Sequence, residues 1–319
     1  MAGVIWYTYT PDILEKLHVK RLPGLGIALI VSVMRVWFGA ARIRFLAEQK
    51  LSWIGAFRTM LAWDFTSAVT PSTIGGAPMA TYAMSKEGIR LGESTAIVLF
   101  GVLLDQIWFA MAIPILLIAG IFYEVVPPDI GLIGEGAMLL LYLGLLSYAG
   151  LLAYGVLVNP SAIKQIVKAI FRLPFLKRYS QKINEEAENL ESYAEEMRKK
   201  PFSFVLKAYG LTVLTWLTRI SLATIVVLSM LPADPVLSSF RSLAMNLTFL
   251  IVPTPGGSGG VEFLFVVFQG PLMRDDPAFI GLAVFAWRII SYYISIGFGM
   301  MATSWYIRSS VVKNQQDKD

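Results

Sequence analysis

LTFLIVPTPGGSGGVEFLFVVF, residues 247–268, is an apolar run cut at its centre by TPGGSGG (254–260). Two prolines and four glycines cannot continue a regular helix. Neither side of the break reaches the roughly 20 residues that a helix needs to cross about 30 Å of hydrocarbon. In lipid, a broken backbone is tolerated only where protein or a water-filled cavity surrounds its unpaired N–H and C=O groups. The stretch 240–270 is therefore expected to enter and leave on one side, as a re-entrant helix pair. A second stretch, 56–82, is broken in the same way by TPSTIGG (70–76).

The composition around these breaks places them in a bilayer. Of 319 residues, 56% are hydrophobic and only 15% charged, a balance outside that of water-soluble domains. Apolar runs predict full spans at 22–46, 93–122, 137–159, 203–231 and 277–307. The expected fold is an all-α integral membrane protein, a polytopic helical bundle with two re-entrant helix hairpins. It forms a single membrane domain over 1–319. The absence of cysteine removes disulfides and thiolate sites, and a single histidine, His18, cannot build a metal cluster. No metal and no cofactor is expected. The surplus of five positive charges lies beside the spans, so nucleic acid is not an expected partner.

Loop charge sets the orientation. Ten basic residues lie between 160 and 207, whereas 123–136 carries Glu124, Asp129 and Glu135 and no lysine or arginine. The first loop is expected in the cytoplasm and the second outside. The protein then reads as multi-pass in the cell membrane, with its C-terminus cytoplasmic, the first hairpin entering from the cytoplasm and the second from outside. Residues 160–202 read as a cytoplasmic amphipathic helical connection. In it, Ile163, Ile166, Val167, Ile170 and Phe171 share a face flanked by Lys164, Lys168 and Arg172.

Laid on itself at an offset of 184, the chain superposes Arg35 on Arg219. The same offset sets Thr70, Pro71, Gly75 and Gly76 on Thr254, Pro255, Gly259 and Gly260. At an offset of 183, Asp105 meets Arg288. Span, broken hairpin and span thus occur twice, in repeat 1 (about 22–122) and repeat 2 (about 203–307). Their opposite orientations make them inverted repeats, an architecture of transporters. Arg35, Asp105, Arg219 and Arg288 fall inside spans, and Asp64 and Glu262 inside the hairpins. Each costs roughly 2.5–3.5 kcal/mol at mid-bilayer on insertion scales unless paired or hydrated. Two readings stand side by side. In one, Asp105 pairs with Arg288 and Glu262 with Arg219 simply to tie the repeats together. In the other, the set lines a polar cavity where guanidinium forks and the N–H groups of Gly256, Gly257 and their neighbours hold a phosphate or carboxylate.

The chain resembles the lysylphosphatidylglycerol synthase transmembrane, or flippase-like, family. The resemblance rests on TPSTIGGAPMATYAMSKEGIRLGES (70–94), LLD (103–105), VPTPGGSGGVE (252–262) and WR (287–288). It implies two re-entrant hairpins and movement of lipids, notably aminoacylated or glycosylated ones, between leaflets. Ala77-Pro78 stands where relatives commonly carry an acidic residue, so a different headgroup preference is expected. The family's first span is expected to be reduced to VIWYTY (4–9). A stand-alone membrane domain is expected, with neither an aminoacyltransferase domain after residue 319 nor a glycosyltransferase domain before residue 1.

The leading expectation is a lipid translocase, not an enzyme, that passes anionic or modified headgroups through the cavity. Arg35, Arg219 and Arg288 would hold the headgroup, while Asp105 and Glu262 balance charge. A membrane-embedded lipid-modifying enzyme and an ion-coupled carrier of small anions are the alternatives. Membrane lipids are the expected partners, with a homodimer and a separate lipid-modifying enzyme left open.

Overall fold

The computed structural model describes residues 22–70, 76–127, 131–155, 192, 193, 195–249, 252, 255–274 and 278–316. Among them every regular element is helical. In chain order these are α1 (Leu22–Leu46), α2 (Trp53–Val69), α3 (Gly76–Lys86), α4 (Leu91–Phe122) and α5 (Gly131–Ala153). Then come α6 (Phe202–Met230), α7 (Pro235–Thr248), α8 (Gly260–Gln269), α9 (Ala278–Arg288) and α10 (Ile294–Gln316). A π turn, Ile289–Tyr293, joins α9 to α10. The expected remnant VIWYTY, residues 160–191 and 194 of the 160–202 connection, Pro71, Gly75 and Thr254 lie outside the described residues.

Four helical stretches are long and apolar enough to cross a membrane: Leu22–Leu46, Leu91–Phe122, Phe202–Met230 and Ala278–Arg308. They coincide with four of the expected spans, and the protein is a multi-pass helical membrane protein. The fifth, 137–159, falls on α5 and beyond residue 155 leaves the described residues. Side chains such as Ile30, Val33, Leu117, Ile121, Phe122 and Met301 are 60% or more exposed. Water would not tolerate such a surface, and lipid is the solvent that suits it.

Both broken stretches form antiparallel pairs of helices too short to cross. In the first, Ser52 caps α2 through the Gly55 N–H. The end of α2 meets the start of α3 so tightly that a Cβ on Gly76 would lie 1.9 Å from Ser67 Oγ. In the second, Asp234 caps α7 by accepting from Val236 N and Leu237 N, and Pro235 takes the first helical position. There Gln269, at the end of α8, donates to Ser238 O and Ser242 Oγ near the start of α7.

The two pairs lie at opposite ends of the bundle. The α2–α3 core contains Ala40, Leu46, Met60, Met84, Ile97 and Leu103, from the end of α1 and the start of α4. The α7–α8 core contains Phe109, Leu116, Val226, Met245 and Phe265, from the later halves of α4 and α6. Ion pairs Lys50–Glu93 and Lys200–Glu48 gather the loops of the first end. At the other end, Arg241 donates twice to Glu124 O and once to Phe268 O. Between them α1 packs along α6, and α10 packs against α2.

Candidate functional site

The two helix breaks meet in the middle of the molecule. At the end of α2, Thr70 turns its backbone N–H and its hydroxyl onto Thr66 O. The neighbouring carbonyl of Ala68 accepts from Tyr292 Oη at 3.2 Å. Gly256 sits against both groups with φ +62°: a Cβ there would lie 1.7 Å from Tyr292 Oη and 2.7 Å from Ala68 O. Gly257 and Gly259 also have positive φ, +67° and +85°, so the turn before α8 runs through backbone space that favours glycine. Gly260 starts α8 beside Val252, and Pro255 opens the turn.

Three buried ion pairs surround this junction. Arg35 donates to Asp64 Oδ2 at 2.8 Å and to Ser295 Oγ at 3.0 Å, which joins α1 to α2 and α10. Arg42 pairs with Asp105, whose carboxylate also accepts from Trp216 Nε1 at 2.7 Å, joining α1, α4 and α6. Arg288 donates from Nε to Glu262 Oε1 at 3.0 Å and from Nη2 to Gly256 O at 3.3 Å. Its guanidinium also lies over the Tyr292 ring, 4.6 Å from the centroid. Glu262 Oε2 takes the Gly259 N–H at 2.8 Å, so the carboxylate already fills one donor at the start of α8. These pairings differ from the expected ones. Asp105 goes to Arg42, not Arg288, and Glu262 goes to Arg288, not Arg219. The reason is local: each acid lies one helix packing away from the arginine it meets.

Arg219 differs from the other arginines. It stands on the buried stripe of α6, where Thr212, Thr215, Leu222, Ala223 and Val226 are all buried. The lipid-facing leucines Leu214, Leu217 and Leu228 lie roughly 140–200° round the helix, at about 100° per residue. Arg219 is nevertheless exposed. Arg219 is thus an exposed side chain on a stripe whose other members are buried. Its charge is within electrostatic reach of Arg35, Asp64, Asp105 and Arg288, and it lies over Trp216 at 5.2 Å. Among the described residues no carboxylate stands within ion-pair distance of it. Arg35, Arg219, Arg288, Asp105 and Glu262 therefore do converge, with Asp64. Arg42, Trp216 and Tyr292 complete the group, and the sequence reading missed them. Arg42 had a signal: it follows Arg35 by seven residues and so shares its helical face.

Residues 2–299 match the family described as the lysylphosphatidylglycerol synthase TM region. A UPF0104 membrane protein of Archaeoglobus fulgidus is 26% identical over 326 residues, covering 98% of this chain and 96% of that protein. No solved structure matches. The chain belongs to the lysylphosphatidylglycerol synthase transmembrane-region family.

Proposed function

We propose that the protein is a lipid translocase: it carries anionic or modified headgroups between leaflets through the interior where the two helix breaks meet. The family supports a lipid-related membrane role. The observation that carries the finer reading is Arg219, an open cation on an inward helix stripe amid three closed ion pairs. A charge in that position costs insertion energy without stabilising the packed bundle, which supports a ligand as its partner.

The helix contacts support an inverted repeat. Exchanging α1, α2, α3 and α4 for α6, α7, α8 and α9–α10 maps the α1–α6 pair onto itself. It also maps the α2–α10 contact onto α7–α4. Pairs seated at opposite ends support the re-entrant reading, in which each pair dips from one leaflet and brings its break toward mid-bilayer. The substrate groups assigned to this interior are Arg35, Arg219, Arg288, Asp105 and Glu262, with Thr70 and Gly76 beside the first break and Pro255, Gly256, Gly257, Gly259 and Gly260 at the second. Asp64, Asp105 and Glu262 are each tied to an arginine, which supports a carrier over an enzyme using one of them as a free acid or base.

The test is purified protein in liposomes with a reporter lipid confined to one leaflet. Exchange several-fold faster than in empty liposomes is expected, with the recovered lipid chemically unchanged. Exchange at the empty-liposome rate sinks the reading. An altered headgroup assigns the protein to lipid-modifying enzymes instead, and uptake of a soluble anion without lipid exchange assigns it to anion carriers.

A further inference from the structure

The interior holds an odd charge, and the sequence shows where the oddness arises. Arg35 and Arg219 occupy equivalent places in the two halves of the chain. Arg35 is neutralised by Asp64 from the adjoining broken helix. The offset of 184 that aligns the two arginines sets Asp64 opposite Thr248, and an offset of 183 sets it opposite Leu247. Neither can carry a charge. Thr248 satisfies its own hydroxyl by donating to Ala244 O. The second half therefore keeps the cation and lacks its acid. Four arginines, Arg35, Arg42, Arg219 and Arg288, face three acids, Asp64, Asp105 and Glu262, leaving one positive charge.

We infer that this interior selects a headgroup by charge: it takes one phosphodiester monoanion, docked on Arg219, in preference to a phosphomonoester dianion. The inference rests on the proposed translocase reading and names the substrate class of that site. A monoanion brings the set to neutrality, whereas a dianion leaves an unpaired negative charge in a low-dielectric interior. The guanidinium fork fits two phosphate oxygens at once. Arg219 can receive it without first releasing a carboxylate, whereas Arg35, Arg42 and Arg288 are each engaged with one. Trp216 links the site to the Asp105–Arg42 pair, since it lies beneath Arg219 and donates to Asp105.

Binding to the purified full chain in detergent tests this without requiring transport. Short-chain phosphatidylglycerol is compared with short-chain phosphatidic acid, with tail-free glycerophosphoglycerol and with inorganic phosphate. The phosphodiester lipid is expected to bind several-fold more tightly than phosphatidic acid. Arg219→Gln should weaken it by at least about tenfold, the loss of a charge-assisted hydrogen bond. Arg219→Lys should restore part of the affinity, and both variants should elute and melt as the parent does. Equal binding of a folded Arg219→Gln protein, or tighter binding of phosphatidic acid by the parent, overturns the inference. Tail-free glycerophosphoglycerol binding as well as the lipid keeps the charge rule and assigns the anion to a soluble source. If Arg219-dependent binding persists while leaflet exchange is absent, the translocase reading fails and the docking role of Arg219 stands.

Discussion

Replacing Asp64 with asparagine leaves the buried Arg35 guanidinium facing a neutral amide and Ser295 Oγ, with no opposite charge. Breaking a buried pair from one side costs about 3–5 kcal/mol, because the surviving charge stays desolvated. Asp64→Asn should therefore lower the midpoint of thermal denaturation in detergent. Arg35→Gln with Asp64→Asn should recover part of the loss; a double variant less stable than either single one argues against the pairing. Gly256→Ala meets a different obstacle. Its Cβ has no room between Tyr292 Oη and Ala68 O, and its φ of +62° disfavours any side chain. A loss of roughly 1–3 kcal/mol is expected, with slower leaflet exchange, read by melting and by the liposome assay. At this scale the sequence is half legible. Hydropathy flags six ionisable residues that lipid would penalise, though not Arg42, and pairing depends on how helices rotate against one another. Asp64 is tied to Arg35 across 29 residues and Glu262 to Arg288 across 26, within each half. The expected Asp105–Arg288 match crosses the halves, and the expected Glu262–Arg219 match takes the wrong arginine within the second half. Tyr292 gives no hydropathy signal, because a tyrosine in a span reads as ordinary.

The broken helix pairs were legible as elements because proline and glycine interrupt apolar runs too short to cross, a constraint that lipid makes strict. What holds the second pair together was not legible. Ser238, Ser242 and Gln269 form a buried hydrogen-bonded set that reaches Thr224 on α6. Gln269→Leu strips partners from two buried serines, at about 1–3 kcal/mol for a buried polar group left unsatisfied. The expected result is a lower melting midpoint and protease sensitivity in α8; unchanged melting would show that the serines find other partners. At the opposite end, Lys50 holds Glu93. The hydrogen bond to Glu93 raises the Lys50 ammonium above its ordinary value of 10.5, burial opposes the rise, and the Glu93 charge adds to it. A raised cation stabilises the fold fully below its unfolded value and loses that contribution as pH climbs through the folded one. The melting difference between the parent and Lys50→Gln should hold constant at neutral pH and shrink only above 10.5. Half-exposure of the lysine keeps the pair's worth small, about 0–1 kcal/mol.

For the molecule as a whole, orientation is the property on which the proposed transport depends. Helix packing alone is blind to it, since turning the bundle over leaves every contact intact. The loops are not blind. The end that gathers Arg44, Lys50, Lys86, Arg90 and Lys200 is basic, and the end with Glu124 and Asp234 is poorer in lysine and arginine, Arg241 being turned inward onto carbonyls. Lysine and arginine are retained on the cytoplasmic side during insertion, so the basic end is predicted to face the cytoplasm. Trp53 and Trp305 each sit beneath an arginine at that end, Arg44 at 4.9 Å and Arg58 at 4.1 Å, as interfacial aromatics do. That orientation would turn the α2–α3 end of the bundle toward the cytoplasm and the α7–α8 end outward. A fluorescent protein fused after Asp319 should therefore fluoresce in cells, because it matures in the cytoplasm, whereas a periplasmic phosphatase at the same site should stay silent. A cysteine placed at Asp234 should react with an impermeant maleimide in intact cells, and one placed at Lys86 only after permeabilisation. The reverse pattern would turn the bundle over, set the first broken pair facing outward and reverse the leaflet from which each half of the interior is reached.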